Sequence, residues 1–482
     1  MLSDSTALVW FRRDLRLNDN PALDAALATG LPVIALYIHA PEEEGHWAPG
    51  GASCWWLHHA LADLDGMLQV HGSSLTLRCG ASQAVLEDII RDHGVKAVFW
   101  NRLYEPKLRD RDRTIKSALT ERGVDVQSFN GALLNEPHTI SNQSGKPFQV
   151  FTPYWRHCCA GPLAEPVKTR LEQWTSHPRP SASLALDELS LLPRIPWDKG
   201  FYDTWTPTRK GGLARLNAFL KNALDGYSKQ RDIPGTDGTS RLSPYLHFGQ
   251  ISPREVAAVL KKHDALTGGG GGPKYYAELG WREFSYHLMY HFPHTPEEPL
   301  RSEFAHFPWE VDEALLDAWK RGQTGYPIVD AGMRQLWQTG WMHNRVRMIV
   351  ASLLVKHLLQ PWQEGARWFW DTLVDADLAS NTQGWQWSAG CGADAAPYFR
   401  VFNPTLQGEK FDPEGDYTRT YVPELKSLEN SYLHQPWAAP ESVLKRAGIT
   451  LGETYPKPVV ELNEGRNRAL QAYEKLKHLR GK

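Results

Sequence analysis

The densest group of residues that could do chemistry lies between positions 375 and 387. Asp375, Asp377 and Asn381 combine two carboxylates with an amide, and Trp385 and Trp387 follow in the same stretch. Buried polar groups of this kind need hydrogen-bond partners, so they could hold a polar heterocycle among bulky aromatic rings. On a helix, the two tryptophans would point about 200° away from each other and would contact different neighbours.

A second segment, 227–243, has the composition of a phosphate-binding loop. Its sequence, Y-S-K-Q-R-D-I-P-G-T-D-G-T-S-R-L-S, combines basic, hydroxyl and glycine residues just before a helical stretch. Glycines let backbone amides approach an anion, and Thr239, Ser240 and Ser243 can donate hydroxyl hydrogen bonds. The alternative is a polar loop with a side chain that caps the next helix.

Two helical patterns each place polar and bulky side chains on one face. Asn344, Arg345 and Met348 recur at three- and four-residue spacing, and Glu278 and Trp281 lie one turn apart in another pattern. Either face could bind a ligand. Each is also compatible with an ordinary amphipathic helix that has a solvated polar side.

The elements that must position these residues differ between the two ends of the chain. In the first third, short apolar runs alternate with helical patterns, and this βαβαβ order predicts a Rossmann-like α/β domain with a parallel sheet. The predicted strands are 7–11, 31–38, 74–77 and 95–100, and the predicted helices are 21–27, 55–69 and 84–93. No GxGxxG motif follows the first strand, so a dinucleotide is not expected at the usual place.

Beyond residue 200, long helical patterns at 213–224, 253–262, 275–291 and 333–359 predict an all-α domain. Residues 136–200 are rich in Pro, Ser and Asn and have little periodicity, which is typical of a surface connection. We therefore expect an α/β domain at 1–135, a linker at 136–200 and a helical domain at 201–482.

Composition excludes several classes of protein. No run of 18 apolar residues could span a membrane and no secretory signal opens the chain, so a cytoplasmic location is expected. The five cysteines lack CxxC spacing, and no metal site is expected. The net charge of −2 means that any nucleic-acid contact must come from a local basic patch. Twenty tryptophans are an unusual number that needs an explanation.

Several separated motifs make the sequence resemble the photolyase and cryptochrome family over nearly its whole length. They are V-W-F-R-R-D-L-R-L-N-D-N at 9–20, T-S-R-L-S-P at 239–244, W-R-E-F at 281–284, T-G-Y-P-I-V-D-A-G-M-R-Q-L at 324–336 and T-G-W-M-H-N-R-V-R-M at 339–348. The resemblance implies an α/β domain that holds a light-harvesting antenna and a helical domain that binds FAD and DNA. The implied reaction is carbon–carbon lyase chemistry, in which light-excited reduced FAD lends an electron to a cyclobutane pyrimidine dimer flipped out of UV-damaged DNA.

The resemblance also assigns roles by position. The residues on the phosphate side of FAD would be Tyr227, Thr239, Ser240, Arg241, Leu242 and Ser243. The ion pair beside the isoalloxazine would be Arg347 and Asp375, and the acid that binds the ring would be Asp377. Asn381 would face flavin N5, where its amide oxygen can accept a hydrogen bond. An electron-transfer chain to the surface would consist of Trp385, Trp362 and Trp309.

The remaining assignments concern the substrate. The lesion contacts implied by the resemblance are Glu278, Trp281, Asn344, Arg345, Met348 and Trp387. A dimer that gains an electron carries negative charge on its carbonyls, so Glu278 and Asn344 could stabilise it while the tryptophans pack on its apolar ring. The contacts to backbone phosphates would be Arg231, Arg345, Arg400 and Lys410. A monomer is expected.

Two alternatives within the family remain. A blue-light photoreceptor cryptochrome would signal without repair, commonly through a C-terminal extension of which this sequence has almost none. A photolyase for pyrimidine-pyrimidone photoproducts would place histidines near the lesion, where Asn344 and Met348 stand. Dimer repair is therefore the preferred interpretation.

The antenna is expected to be methenyltetrahydrofolate, because G-A-S-C-W-W-L-H-H at 51–59 resembles a bacterial class III subgroup that uses folate. Trp55 and Trp56 in this stretch are expected to be helix packing residues. Tyr104 and Glu105 depart from the Asn-Glu pair of the best-known folate-binding members, so a deazaflavin or a flavin stays open. No iron–sulfur cluster is expected, because the clustered C-terminal cysteines of that branch are absent.

Overall fold

The computed structural model describes residues 5–395, 397–398 and 400–480. In these residues, five strands form one parallel sheet with the order β3-β2-β1-β4-β5. The strands are β1 (Thr6–Phe11), β2 (Val33–His39), β3 (Leu75–Cys79), β4 (Val95–Asn101) and β5 (Asp125–Phe129). The α/β class predicted from the alternating pattern is confirmed.

Helices cover both faces of the sheet, which explains why its central strands are apolar throughout. Ala7, Val9 and Phe11 pack into one hydrophobic cluster, whereas Leu8 and Trp10 pack into another on the opposite face. The crossover helices are α1 (Pro21–Leu27), α2 (Gly51–Val70), α3 (Ser82–Asp92) and α4 (Pro106–Glu121). Trp55 and Trp56 on α2 are fully buried, which confirms their prediction as packing residues.

The rest of the described chain is predominantly helical, as the sequence predicts. Its helices are α5 (Phe151–Ala160), α6 (Lys199–Thr204), α7 (Arg209–Asn222), α8 (Tyr227–Gln230), α9 (Ser243–His247), α10 (Pro253–Lys262), α11 (Gly271–His291), α12 (Glu313–Lys320), α13 (Pro327–Thr339), α14 (Asn344–Ser352), α15 (Trp362–Thr372), α16 (Leu378–Ala389), α17 (Pro404–Phe411), α18 (Asp416–Tyr421), α19 (Asn430–Leu433), α20 (Glu441–Ala447) and α21 (Leu462–Arg480). No helix in the described ranges is long and apolar enough to cross a bilayer.

The single helix predicted over 333–359 is wrong, because the structure divides it. Helix α13 ends at Thr339, Gly340 adopts a left-handed φ of 67°, and α14 begins only at Asn344. Gly340 also accepts a backbone hydrogen bond from Val374 (2.8 Å). The helical period continues across the break, so apolar spacing alone could not reveal it.

The N-terminal motif at 9–20 joins the two regions of the chain. The guanidinium of Arg16 is completely buried and donates to the carbonyl of Gly249 (2.8 Å). Asp19 accepts hydrogen bonds from Ser252 and from Arg254 (3.1 Å). The arginine-rich turn after β1 therefore fixes the helical region against the carboxyl end of the sheet.

Replacing Gly340 with alanine should destabilise the fold. A Cβ there would lie 2.7 Å from both Phe201 Cζ and Val374 Cγ1, and alanine also disfavours the left-handed conformation. We expect Gly340→Ala to lower the free energy of unfolding by about 2 kcal/mol or more, measured by urea denaturation. Gly66→Ala is the matched control, because that helical glycine has open space around its Cβ position. An unchanged midpoint for Gly340→Ala would contradict this account of the break.

Candidate functional site

Two neighbouring cavities lie among the helices of the C-terminal region. The larger has an empty volume of about 1070 Å³ and the smaller one of about 630 Å³. They share a wall of five polar side chains, namely Asn344, Arg347, Asp375, Asp377 and Ser380. The combined space is large enough for a folded dinucleotide.

Asp375 is the electrostatic centre of the shared wall. Both of its carboxylate oxygens accept hydrogen bonds from Arg347 Nη2 (3.1 and 2.8 Å), and Oδ2 also accepts from Ser243 Oγ (2.5 Å). Arg347 Nε donates to the carbonyl of Met342, which lies in the break before α14 (2.8 Å). The structure thus brings the predicted ion pair together and ties α9 and α14 to one carboxylate.

The carboxylate of Asp377, two residues after Asp375, also binds side chains and backbone from several helices. Its Oδ1 accepts from the backbone N–H of Ser380 and caps α16, and its Oδ2 accepts from the Tyr286 hydroxyl and lies 3.5 Å from His247 Nδ1. Burial alone would raise the pKa of Asp377. The hydrogen bonds from His247 and Tyr286 and the charge of Arg282 nevertheless hold that pKa well below its usual range. The carboxylate stays ionised at the wall of both cavities.

The predicted phosphate-binding segment lines the larger cavity. All six of its predicted contacts are present there: Tyr227, Thr239, Ser240, Arg241, Leu242 and Ser243. Ser240 Oγ accepts hydrogen bonds from the Tyr275 hydroxyl (2.9 Å) and from the N–H of Leu242 (3.3 Å). Arg241 has a left-handed φ of 50°, and its guanidinium lies 5.0 Å from the centre of the Trp341 ring. The strained turn holds a cation at the cavity edge.

Asn381 lines the smaller cavity with a defined amide orientation. Its Nδ2 donates to the carbonyl of Ala366 (3.0 Å), an acceptor that fixes which end of the amide is the nitrogen. The amide oxygen is therefore available as an acceptor. This fits the expected contact with a protonated flavin N5.

The series of three tryptophans predicted to transfer electrons starts at the wall of the smaller cavity. Trp385 lines it, and its indole lies so close to α15 that a Cβ on Gly365 would overlap it. Trp362 is one turn before Gly365 and is 2% exposed. Glu310, next to Trp309, donates its N–H to the carbonyl of Leu359 (3.0 Å), so the Trp309 segment runs beside the start of α15.

The predicted substrate residues form a charged face around the larger cavity. Glu278 pairs with Arg231, while Arg345 pairs with Asp232 (3.0 Å). Arg345 and Lys410 both lie near the ring of Phe411, at 4.5 and 5.1 Å. The structure therefore groups three of the four cations predicted to contact phosphates, and Arg400 is exposed on the loop after α16.

Not every predicted site residue reaches a cavity wall. Glu278 and Asn344 line the larger cavity, and Met348 lines the smaller one. Trp281 and Trp387 are half-buried on α11 and α16 and line neither cavity. The structure therefore does not bring these two predicted lesion contacts to a cavity wall.

Sequence reasoning assigned no role to Arg282, which it had placed in the same helical pattern as Glu278, or to His247. Arg282 lines the larger cavity, donates to the carbonyl of Ala132 (2.9 Å) and lies over the Tyr286 ring. His247 is buried against Asp377 at the end of α9, and burial lowers its pKa. The W-R-E-F motif contains Arg282, but one arginine on a long helix gave no sign that it faced inward.

Comparison with known proteins identifies the family. Residues 7–172 match the DNA photolyase model, and residues 275–475 match the FAD binding domain of DNA photolyase. A deoxyribodipyrimidine photo-lyase of Agrobacterium fabrum is 48% identical over 99% of both chains. The chain belongs to the photolyase and cryptochrome family.

A photolyase crystal structure and a plant cryptochrome are both similar to this chain. The crystal structure of a bacterial class III photolyase from Agrobacterium tumefaciens superposes with a TM-score of 0.94 at 47% identity and covers 99% of both chains. Cryptochrome-1 of Arabidopsis thaliana is 42% identical over 98% of this chain and 71% of its own. The resemblance found in the motifs is confirmed.

Removing the charge of Asp375 should weaken FAD binding. Asp375→Asn would leave Arg347 without its carboxylate partner at the cavity wall, and a hydrogen bond to a charged group contributes about 1.5–3 kcal/mol. We expect the dissociation constant of FAD to rise at least about tenfold, measured by titrating the apoprotein. Asp317→Asn, which breaks an exposed ion pair with Arg321, is the control and should leave FAD affinity unchanged. Unaltered affinity of Asp375→Asn would contradict the assignment.

Proposed function

We propose that this chain is a deoxyribodipyrimidine photo-lyase that repairs cyclobutane pyrimidine dimers in UV-damaged DNA with blue light. The single observation that carries this is the convergence at the larger cavity of a phosphate-binding segment with Glu278, Asn344 and a cationic rim. A flavoprotein whose flavin acted only within the protein would not need a positively charged rim around its cavity. The full-length similarity to photo-lyases supports the same reaction.

In this proposal the protein positions FAD and the dimer in adjoining spaces. FAD, when bound, supplies the light-driven electron. Arg347 with Asp375 and the amide oxygen of Asn381 would contact its ring, and the 227–243 segment would contact its phosphates. A protonated Glu278 and the side-chain N–H group of Asn344 would donate hydrogen bonds to the dimer carbonyls as negative charge develops on them. Met348 would exclude water from the contact between these two side chains and the dimer.

The same reading gives Trp385, Trp362 and Trp309 the role of an electron path from the flavin site to the surface. The contact of Trp385 with Gly365 supports it, because Gly365 lies one turn after the buried Trp362 on α15 and so brings the two indoles to neighbouring parts of the site. Trp387, Trp281 and Arg345 would contact the lesion strand, and Arg231, Arg400 and Lys410 its phosphates. Domains at 1–135 and 201–482, a cytoplasmic location and a monomer complete the proposal.

For the antenna, methenyltetrahydrofolate remains our choice, and two places could hold it. A cavity of about 700 Å³ lies between the sheet and the helical region, lined by Ala40 and Leu57 among others. On the surface, Trp337 and Trp368 have rings inclined by only 6° with centres 6.1 Å apart, and Trp337 is 51% exposed. Lys320 lies 5.3 Å from the Trp368 ring. Parallel indoles beside a cation suit a pterin ring with a carboxylate tail, so we favour the surface pair.

Loss of Glu278 should impair repair while FAD stays bound. Glu278→Ala removes a carboxyl group that, when protonated, would donate a hydrogen bond to a dimer carbonyl, so the repair rate of a defined thymine dimer under blue light should fall about tenfold or more. The assay measures restored thymine and flavin absorbance on the same reduced sample. Glu298→Ala, an exposed glutamate, should behave as the wild type. A wild type that binds flavin and repairs nothing would favour a photosensory cryptochrome instead.

The antenna site can be tested by two complementary substitutions. Trp337→Ala should remove the near-ultraviolet absorption band of the antenna and leave the flavin band intact, because it deletes one of the two stacking rings. Ala40→Trp, which fills the cavity beside the sheet, should leave both bands in place. The reverse result would assign the antenna to that cavity.

A further inference from the structure

Three nearly parallel aromatic rings from two helices lie next to one another around Trp281. Phe151, the first residue of α5, stacks on Trp281 of α11 with centres 3.7 Å apart and an angle of 10°. Phe151 is also nearly parallel to Trp155, with ring centres 6.3 Å apart and an angle of 13°. Phe284 contacts the edges of both Phe151 and Trp281. One face of the Trp281 indole is therefore covered, and a ligand can stack only on the other.

Two further contacts fix α5 in this position. Gly280 precedes Trp281, and a Cβ on it would lie 2.5 Å from the Trp155 ring, so the glycine lets α5 pack directly against α11. The N–H of Phe151 donates to Asp394 Oδ2 (3.1 Å), which belongs to the loop after α16. Asp394 has a left-handed φ of 48°, a conformation that aspartate tolerates better than most residues. The start of α5 thus connects the helix of Trp281 with the loop beyond the helix of Trp387.

From this geometry we propose that Phe151 is a positioning residue for dimer recognition, which acts by holding the Trp281 ring in the orientation that contacts the lesion. The proposal rests on the photo-lyase function above and extends it to the segment between the two domains. Trp281 is half-buried and lies one turn from Glu278, so its ring and that carboxyl face the same side of α11. A ring held in advance loses less side-chain entropy when the dimer binds.

The segment between the domains therefore contributes to substrate specificity. Without the Phe151 face, the Trp281 side chain could adopt other rotamers and would have to be ordered by the lesion itself. This loss of side-chain entropy would weaken only the complex with a flipped-out dimer. Binding to undamaged duplex depends on the cationic rim and should not change.

The test is lesion discrimination measured in the dark, so that it does not depend on repair. The holoenzyme is titrated with a duplex that contains one thymine dimer and with the identical undamaged duplex. Phe151→Met keeps most of the volume but removes the flat face, so the ratio of the two affinities should fall about three- to tenfold, as expected for loss of an aromatic stack. Phe151→Tyr keeps the face and should retain the wild-type ratio.

Two controls separate positioning from general stability. Phe148→Leu alters the same segment and the same hydrophobic cluster, but Phe148 packs on Tyr154, His157 and His287. Its discrimination ratio should remain that of the wild type even if its melting temperature falls. In a Trp281→Ala background, Phe151→Met should cause no further loss, because its effect passes through that ring.

The outcomes of these measurements separate a failure of the positioning role of Phe151 from a failure of the proposed function. An unchanged ratio for Phe151→Met, an equal loss for Phe148→Leu, or the same additional loss in the Trp281→Ala background would overturn the positioning role. If instead the wild type does not distinguish the two duplexes, the proposed function fails together with everything that rests on it.

Discussion

The site depends on two buried carboxylates, Asp375 and Asp377, which lie in one short loop and whose negative charge must be balanced. A buried carboxylate is costly unless hydrogen bonds and positive charge surround it. Asp375 meets this need with Arg347 and Ser243, and Asp377 with Tyr286, His247 and the N terminus of α16. Helices α9, α11, α14 and α16 are therefore required to converge on residues 375–377, and the space they leave between them is the cavity pair. Packing alone would have closed that space.

The same principle explains how a protein with a net charge of −2 can present a face for DNA. Arg231 and Arg345 are held by Glu278 and Asp232 rather than left free. The side chains of both pairs are only 16–30% exposed, so a DNA phosphate could replace each carboxylate only by accepting the same charge-assisted hydrogen bonds from the arginine. Exchange of partners also releases Glu278 from Arg231, which would make its carboxyl available when the substrate backbone arrives. Phosphate binding and preparation of the lesion contact would then be linked through one ion pair.

The sequence predicted the fold class and most of the cavity wall, and its errors have physical causes. Strand β5 was missed because Asp125–Phe129 is an edge strand with only Val126 fully buried, so it lacks an apolar run. The break at Gly340 was missed because apolar spacing continues on both sides of it. Arg282 and Phe151 were missed for a different reason: their roles depend on which neighbouring element packs against them, and neither residue has a distinctive local pattern. The family motifs supplied residue roles that spacing could not.

The fold and the flavin wall do not by themselves distinguish repair from signalling, since a plant cryptochrome is also similar to almost the whole of this chain. In our proposal the wall formed by Arg347, Asp375, Asp377 and Asn381 would hold a flavin in either case. What a repair enzyme needs in addition is a surface that accepts an extruded dimer and orders it against that flavin. In our proposal such a surface would consist of Glu278 on α11, Asn344 on α14 and Trp281, one face of which is covered by Phe151. On this proposal the functional difference would lie in residues contributed by α5, α11 and α14, and substitutions there would change the function without disturbing the carboxylates of the cofactor site.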